Sequence, residues 1–135
     1  MLIVMVDGSF LGPASLAWAK PGDETGYLSV WQHLVDTRDV ASLLWDTFVA
    51  DSIKQSLATS ERLEVSEVRG LAVFLAGIHD VGKITRSFQR KIPPGANAEM
   101  ILGSLEDVGL DLEFGLEEVG AYFPHGLASS VILYD

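Results

Sequence analysis

The chain contains no cysteine. That excludes a disulfide framework and thiolate metal sites, and it suits a reducing interior. Any metal would have to be held by His, Asp or Glu, which are donors for hard or borderline ions. Long apolar runs are missing too. The opening MLIVMVDG carries six apolar residues in a row. That is too short to cross a bilayer, and it lacks the basic region and cleavage site of a signal peptide. The expectation is a cytoplasmic protein with no membrane partner. Basic residues are absent after Lys91, whereas Glu99, Glu106, Asp107, Asp111, Glu113, Glu117, Glu118 and Asp135 all follow it. Eight of the net ten negative charges therefore lie in residues 92–135. A polyanion is repelled by such a segment, whose plain reading is a solvated acidic face.

What remains is enough for a folded domain. The chain has 135 residues and is 48% hydrophobic, and its mean hydropathy is +0.28. That fits one domain with a core and is unlike a disordered chain. No internal repeat or low-complexity linker is visible. KPGDETG (20–26) reads as a loop by its Pro and Gly content. From about Ser29 to Val49, Trp31, Leu34, Val35, Ala41, Leu44, Trp45 and Phe48 recur at helical spacing. A short helix is expected over residues 51–59. Another is expected from Ser66, as its cap, to Asp80, with Leu71, Phe74, Leu75 and Ile78 as its apolar stripe. ITRSFQRK predicts a brief helix that the prolines of IPPGAN must end. Residues 98–109 predict a weaker helix. YFPHG reads as a turn that exposes His125, and LASSVILYD as a last helix whose apolar residues lack a partner. Strand signals are weak throughout, so the expected class is all-α.

Three histidines carry the candidate chemistry: His33, His79 and His125. His79 and Asp80 end an apolar helix, where an imidazole and a carboxylate can share one ion or the Asp can bridge two. A desolvated carboxylate there is costly unless a cation offsets it. The dipeptide by itself is weak evidence, because chance alone produces such pairs. Lys83 puts an ammonium near the same end; it would neutralise a phosphate, pair with Asp80, or simply suit the end of a helix. His33 sits at the inner edge of a stripe with Thr37, Val40 and Leu44, as a satisfied core residue or as a ligand. Asp36 and Asp39 read as solvent-facing, with Asp36 near enough in sequence to support a ligand. Lys83, Arg86, Arg90 and Lys91 fall at i, i+3, i+7, i+8. On a continuous helix they make one basic face, either a phosphate-contacting surface or an ordinary solvated one.

Taken together, LAWAK (16–20), HLVDTRDVASLLW (33–45), LAGIHDVGKITRSFQ (75–89) and PHGLAS (124–129) resemble the N-terminal HD nuclease domain of the CRISPR-associated nuclease-helicase of type I systems. The His-Asp-x-Gly-Lys core is shared by the HD superfamily; WAK and the FQ after the motif narrow it. The resemblance covers residues 16–135 and leaves residues 1–15 as a leader or N-terminal extension. It implies an all-α HD-domain helical bundle, and one that is truncated at its C-terminus. In the family a His pair and a final Asp follow the position of His125; here Asp135 is the acid that follows it. The implied activity is cleavage of single-stranded DNA in antiviral defence, using metal-activated water and one or two divalent ions (Mn, Ni, Co, Fe or Mg). The implied metal ligands are His33, His79, Asp80 and His125. The implied catalytic residues are Asp80 and Lys83, the latter beside the scissile phosphate. Implied partners are single-stranded DNA, a helicase domain and the CRISPR surveillance complex. The alternative is a catalytically inactive HD-like interaction protein docking on that complex or on another subunit. An exposed C-terminal helix would also permit a homo-oligomer.

Overall fold

The computed structural model describes residues 13–21, 26–93, 98–112 and 124–134. The apolar opening through residue 12, Pro94, Glu113, Glu117, Glu118 and Asp135 lie outside these. The chain divides into two compact units. One comprises Met1–His33 with Asp80–Asp135, and the other is Leu34–His79. Most described residues are helical, as the all-α expectation requires: α1 Pro13–Leu16, α2 Val30–Thr47, α3 Asp51–Glu61, α4 Val65–Ile78, α5 Arg86–Gln89, α6 Ala98–Asp107 and α7 His125–Tyr134. A 3-10 turn, Val81–Ile84, precedes α5. No helix among the described residues is long and apolar enough to cross a membrane.

The first unit departs from a purely helical expectation in one place. β1 (Trp18–Pro21) and β2 (Tyr27–Ser29) pair antiparallel, with Trp18 opposite Ser29 and Pro21 opposite Tyr27, and an irregularity between Trp18 and Lys20. The loop reading of 20–26 is therefore corrected at its edges: a hairpin flanks it. Strands of three and four residues are too short to show alternation, and here they are fixed by tertiary bonds. Val30 N–H donates to Ala17 O at 2.7 Å, which leads the hairpin into α2. Ser29 caps that helix, its Oγ accepting from Gln32 N–H at 3.2 Å. The buried apolar residues of this unit include Ala17, Trp18, Ala19, Val30, Ile101, Leu105 and Ala128.

Two further expectations change within the first unit. ITRSFQRK is not one helix: Thr85 is extended at ψ 146° and separates the 3-10 turn from α5. His125 is not in a turn, but is the first residue of α7, with Ala128 N–H donating to Pro124 O. α6 closes at Gly109, whose φ of +88° admits the reversal that lets Leu110 N–H reach Leu105 O at 2.9 Å.

The second unit packs α3, α4 and the described part of α2 from Leu34 onward around a small core. Trp45, Ala58 and Val68 are buried together, with Val49, Val65 and Ala72 packed against them. α4 starts earlier than expected. Glu64 is its N-cap, and its N–H donates to Glu67 Oε2 at 2.7 Å, so Ser66 lies inside the helix rather than capping it. α4 also buries a different face. Val65, Val68 and Ala72 point into the core, whereas Leu71, Phe74 and Leu75 are exposed, Phe74 by 56%. The helix has two apolar faces, and periodicity does not say which is covered. α2 behaves likewise: Trp45 is buried while Val40 and Leu44 are exposed, as is Phe48 just beyond the helix. α3 ends at Arg62, which takes the left-handed conformation at φ 58° so that Leu63 N–H can bond Ala58 O at 3.0 Å.

Candidate metal centre

Asp80 follows the last turn of α4 and precedes the 3-10 turn. It is 8% exposed, a buried carboxylate. Desolvation disfavours such a charge unless donors or cations meet it. Three groups of the same unit do. His33 Nε2, from the first turn of α2, lies 2.9 Å from Oδ2. Lys83 Nζ, one 3-10 turn later, lies 2.7 Å from the same oxygen. His125 Nε2, at the start of α7, lies 3.3 Å from Oδ1. His79 is joined to Asp80 by the peptide bond; it is exposed, and its Nδ1 sits 2.8 Å from Ala76 O. That contact fits an Nδ1–H donor. His33, His79 and Asp80 form a group of donors that could hold a metal ion. Imidazole nitrogen with carboxylate oxygen suits divalent first-row metals, so the residues present fit the cation that the sequence reading called for.

The turn that carries Asp80 and Lys83 is held by backbone-directed bonds. Lys83 N–H donates to Asp80 O at 2.9 Å, and Thr85 Oγ1 donates to Gly82 O at 2.7 Å. Gln89, 0% exposed, acts as a clamp. Its Nε2 donates to Lys83 O at 2.6 Å and to Trp18 O at 3.0 Å. Its Oε1 accepts from Trp18 N–H at 3.0 Å, and its own carbonyl accepts from Trp18 Nε1–H at 2.9 Å. WAK and FQ, the two segments that narrowed the resemblance, thus touch each other directly, and their bonds hold the turn bearing Lys83. Aromatic rings line the same side. Phe88 lies 4.8 Å from the Trp18 ring and meets His125 edge-on at 5.4 Å, and Lys83 Nζ is 5.7 Å from its centroid.

Of the residues singled out from the sequence, His33, Asp80, Lys83 and His125 therefore converge. The basic series is dispersed. Lys83 is 7% exposed and faces Asp80. Arg86 is half-buried. Arg90 donates to Leu112 O at 3.2 Å, and Lys91 is exposed. The extended Thr85 breaks the register that would have made them one helical face. Asp36 and Asp39 are exposed. Gln89 as a clamp, Phe88 as a ring beside His125, and the buried Ser129 of α7 were not singled out. FQ stood in the resemblance without a role, and no local signal distinguishes Ser129 from the Ser130 that follows it.

A helical fold with a His-Asp pair at a helix end, a lysine one turn on and further imidazoles converging on the carboxylate is the constellation of an HD-type metal site. The family described as "Cas3, HD domain" matches residues 18–135, and the chain belongs to it. The CRISPR-associated nuclease/helicase Cas3 of Streptococcus thermophilus is 35% identical over 79 residues, covering 53% of this chain. The matched part is 8% of that relative's length. No solved structure matches.

Proposed function

We propose that this chain supplies the metal-dependent phosphodiesterase centre of a CRISPR-associated nuclease and cleaves single-stranded DNA. The observation that carries this reading is the buried Asp80 carboxylate with His33, Lys83 and His125 turned onto its two oxygens. In this reading His33, His79 and Asp80 hold the first ion, and His125 with Asp80 serves a second. Bound there, a divalent ion (Mn, Ni, Co, Fe or Mg) lowers the pKa of water and offsets charge on a phosphoryl oxygen. The chain's own groups do the rest. Asp80 offers both oxygens. Lys83 keeps an ammonium beside them, where it can meet a scissile phosphate. The half-buried His125 borders the solvent side from which a strand would enter. Arg90 and Lys91 are the exposed basic groups of the series.

The reading predicts metal loading that is lost in Asp80→Ala, followed by elemental analysis. It also predicts slow cleavage of a single-stranded oligonucleotide under Mn²⁺, Ni²⁺, Co²⁺ or Fe²⁺ that disappears in His79→Ala and Asp80→Ala. Cleavage no faster than in Asp80→Ala with every ion would remove the enzymatic reading. A second reading, a non-catalytic protein that docks on a CRISPR surveillance complex or on another subunit, or pairs with a second copy, is supported by α7. Leu127, Val131 and Ile132 on that helix are exposed, an arrangement that favours association. Pull-down with the surveillance complex and light scattering test it. A monomer that captures nothing at micromolar concentration would end it.

A further inference from the structure

We propose that Ser129 is the positioning residue that holds His125 against Asp80. Ser129 is buried, one helical turn after His125 on α7. Its hydroxyl donates to His125 O at 3.0 Å and accepts from Gly82 N–H at 2.9 Å. Gly82 lies two residues beyond Asp80 in the 3-10 turn. One hydroxyl therefore joins the backbone of one Asp80-facing imidazole to the backbone that carries Asp80 itself.

The close approach is built into the sequence on both sides. A Cβ at Gly82 would overlap the His125 carbonyl oxygen and stand 2.8 Å from Ala128 Cβ. Only a residue without a side chain lets α7 come this near the turn. Gly82 is buried, and the Ser129 hydroxyl is the acceptor that satisfies its N–H. The consequence is at the ring: His125 Nε2 stands 3.3 Å from Asp80 Oδ1, and the ring packs against Phe88 in a T-shaped contact at 5.4 Å. Without the hydroxyl, a buried N–H is left unpaired and the first turn of α7 shifts to admit a partner for it.

The test combines a metal-free and a metal-bound readout on the whole chain, and only the second rests on the proposed metal centre. The Cε1–H resonance of His125, identified by its loss in His125→Asn, reports the ring's place beside Phe88 in metal-free protein. In Ser129→Ala it is expected to move toward its position in a short peptide while the thermal transition stays cooperative. Co²⁺ affinity is expected to fall on the order of tenfold, the usual effect of removing a group that orients a ligand. Ser129→Thr keeps the hydroxyl and is expected to retain the wild-type resonance. A resonance unchanged in Ser129→Ala, or displaced as far in Ser129→Thr, overturns the proposal. If Ser129→Ala loses its cooperative transition, Ser129→Thr alone decides. If the wild-type chain takes up no Co²⁺, the metal reading fails, and the His125 resonance still decides the role of Ser129.

Discussion

Different physics holds each of the two units together internally. In the unit that contains Asp80, buried polar groups set the geometry: Gln89 clamps Trp18 and Lys83, and Ser129 clamps Gly82 and His125. In the unit from Leu34 to His79, a small apolar core of Trp45, Ala58 and Val68 does so, with its ion pairs at the surface. Hydrogen-bonded clamps are directional and tolerate little change, because each lost partner leaves a buried group unsatisfied. Apolar packing tolerates exchange of similar volumes. The unit in which His33, Lys83 and His125 meet Asp80 uses the directional kind.

Four substitutions would sharpen or break that contrast. The largest effect is expected for Gln89→Leu, which keeps volume but leaves Trp18 N–H, Trp18 O and Lys83 O without their side-chain partner. It should cost about 3–4 kcal/mol by denaturant titration; a loss below about 1 kcal/mol would show that the clamp is dispensable. Next is Gly82→Ala, expected to cost about 3 kcal/mol because its Cβ meets backbone atoms of α7 rather than a flexible side chain. An unchanged melting transition would mean α7 is not seated on the turn. Smaller, and of opposite sign, is Arg62→Gly in the other unit. Relief of the positive φ should stabilise by about 0.5–1 kcal/mol in thermal unfolding, and a destabilised variant would deny the left-handed cap.

The smallest effect concerns the surface pair of that same unit. Arg69 Nε and Nη2 donate to the two oxygens of Asp46 at 2.8 and 2.6 Å. The Arg69 hydrogen bond, and then its charge, hold the Asp46 carboxyl below the usual carboxylate range. A depressed folded-state value means the contribution is fully present above the unfolded value and is lost as pH falls through the folded one. Asp46→Asn should therefore lower stability slightly at neutral pH, with the difference from wild type vanishing as pH falls below about 4, so that the acid limb flattens by the same small amount. An unaltered acid limb would mean that solvent screens the pair completely.

Much of this was legible along the chain. The helices α2, α3, α4, α6 and α7 follow local signals, above all apolar residues at helical spacing and the polar or Pro/Gly-containing breaks between them. The His79–Asp80 pair and Lys83 were visible as a motif. The hairpin was not, because three-residue strands carry no period. The buried face of α4 was not, because Leu71, Phe74 and Leu75 are as apolar as Val65, Val68 and Ala72. The single basic face was not sustained, because Thr85 turns extended between the 3-10 turn and α5.

By itself, then, the sequence determined the helical class, the absence of thiol chemistry, and the His-Asp-x-Gly-Lys motif with its candidate partners His33 and His125. The class and the motif depend on local spacing and on residue chemistry, which a linear chain displays; His33 and His125 became candidates through the family resemblance. Only the tertiary structure decided that His33 and His125 meet Asp80, that Lys83 is buried against it, and that Gln89 and Ser129 hold the pieces in place. Lys83 is only three residues from Asp80, but His33–Asp80 and Ser129–Gly82 join residues 47 positions apart and Gln89–Trp18 residues 71 apart. Hydrogen bonds over such separations depend on which backbones are brought within 3 Å, and no local pattern encodes that.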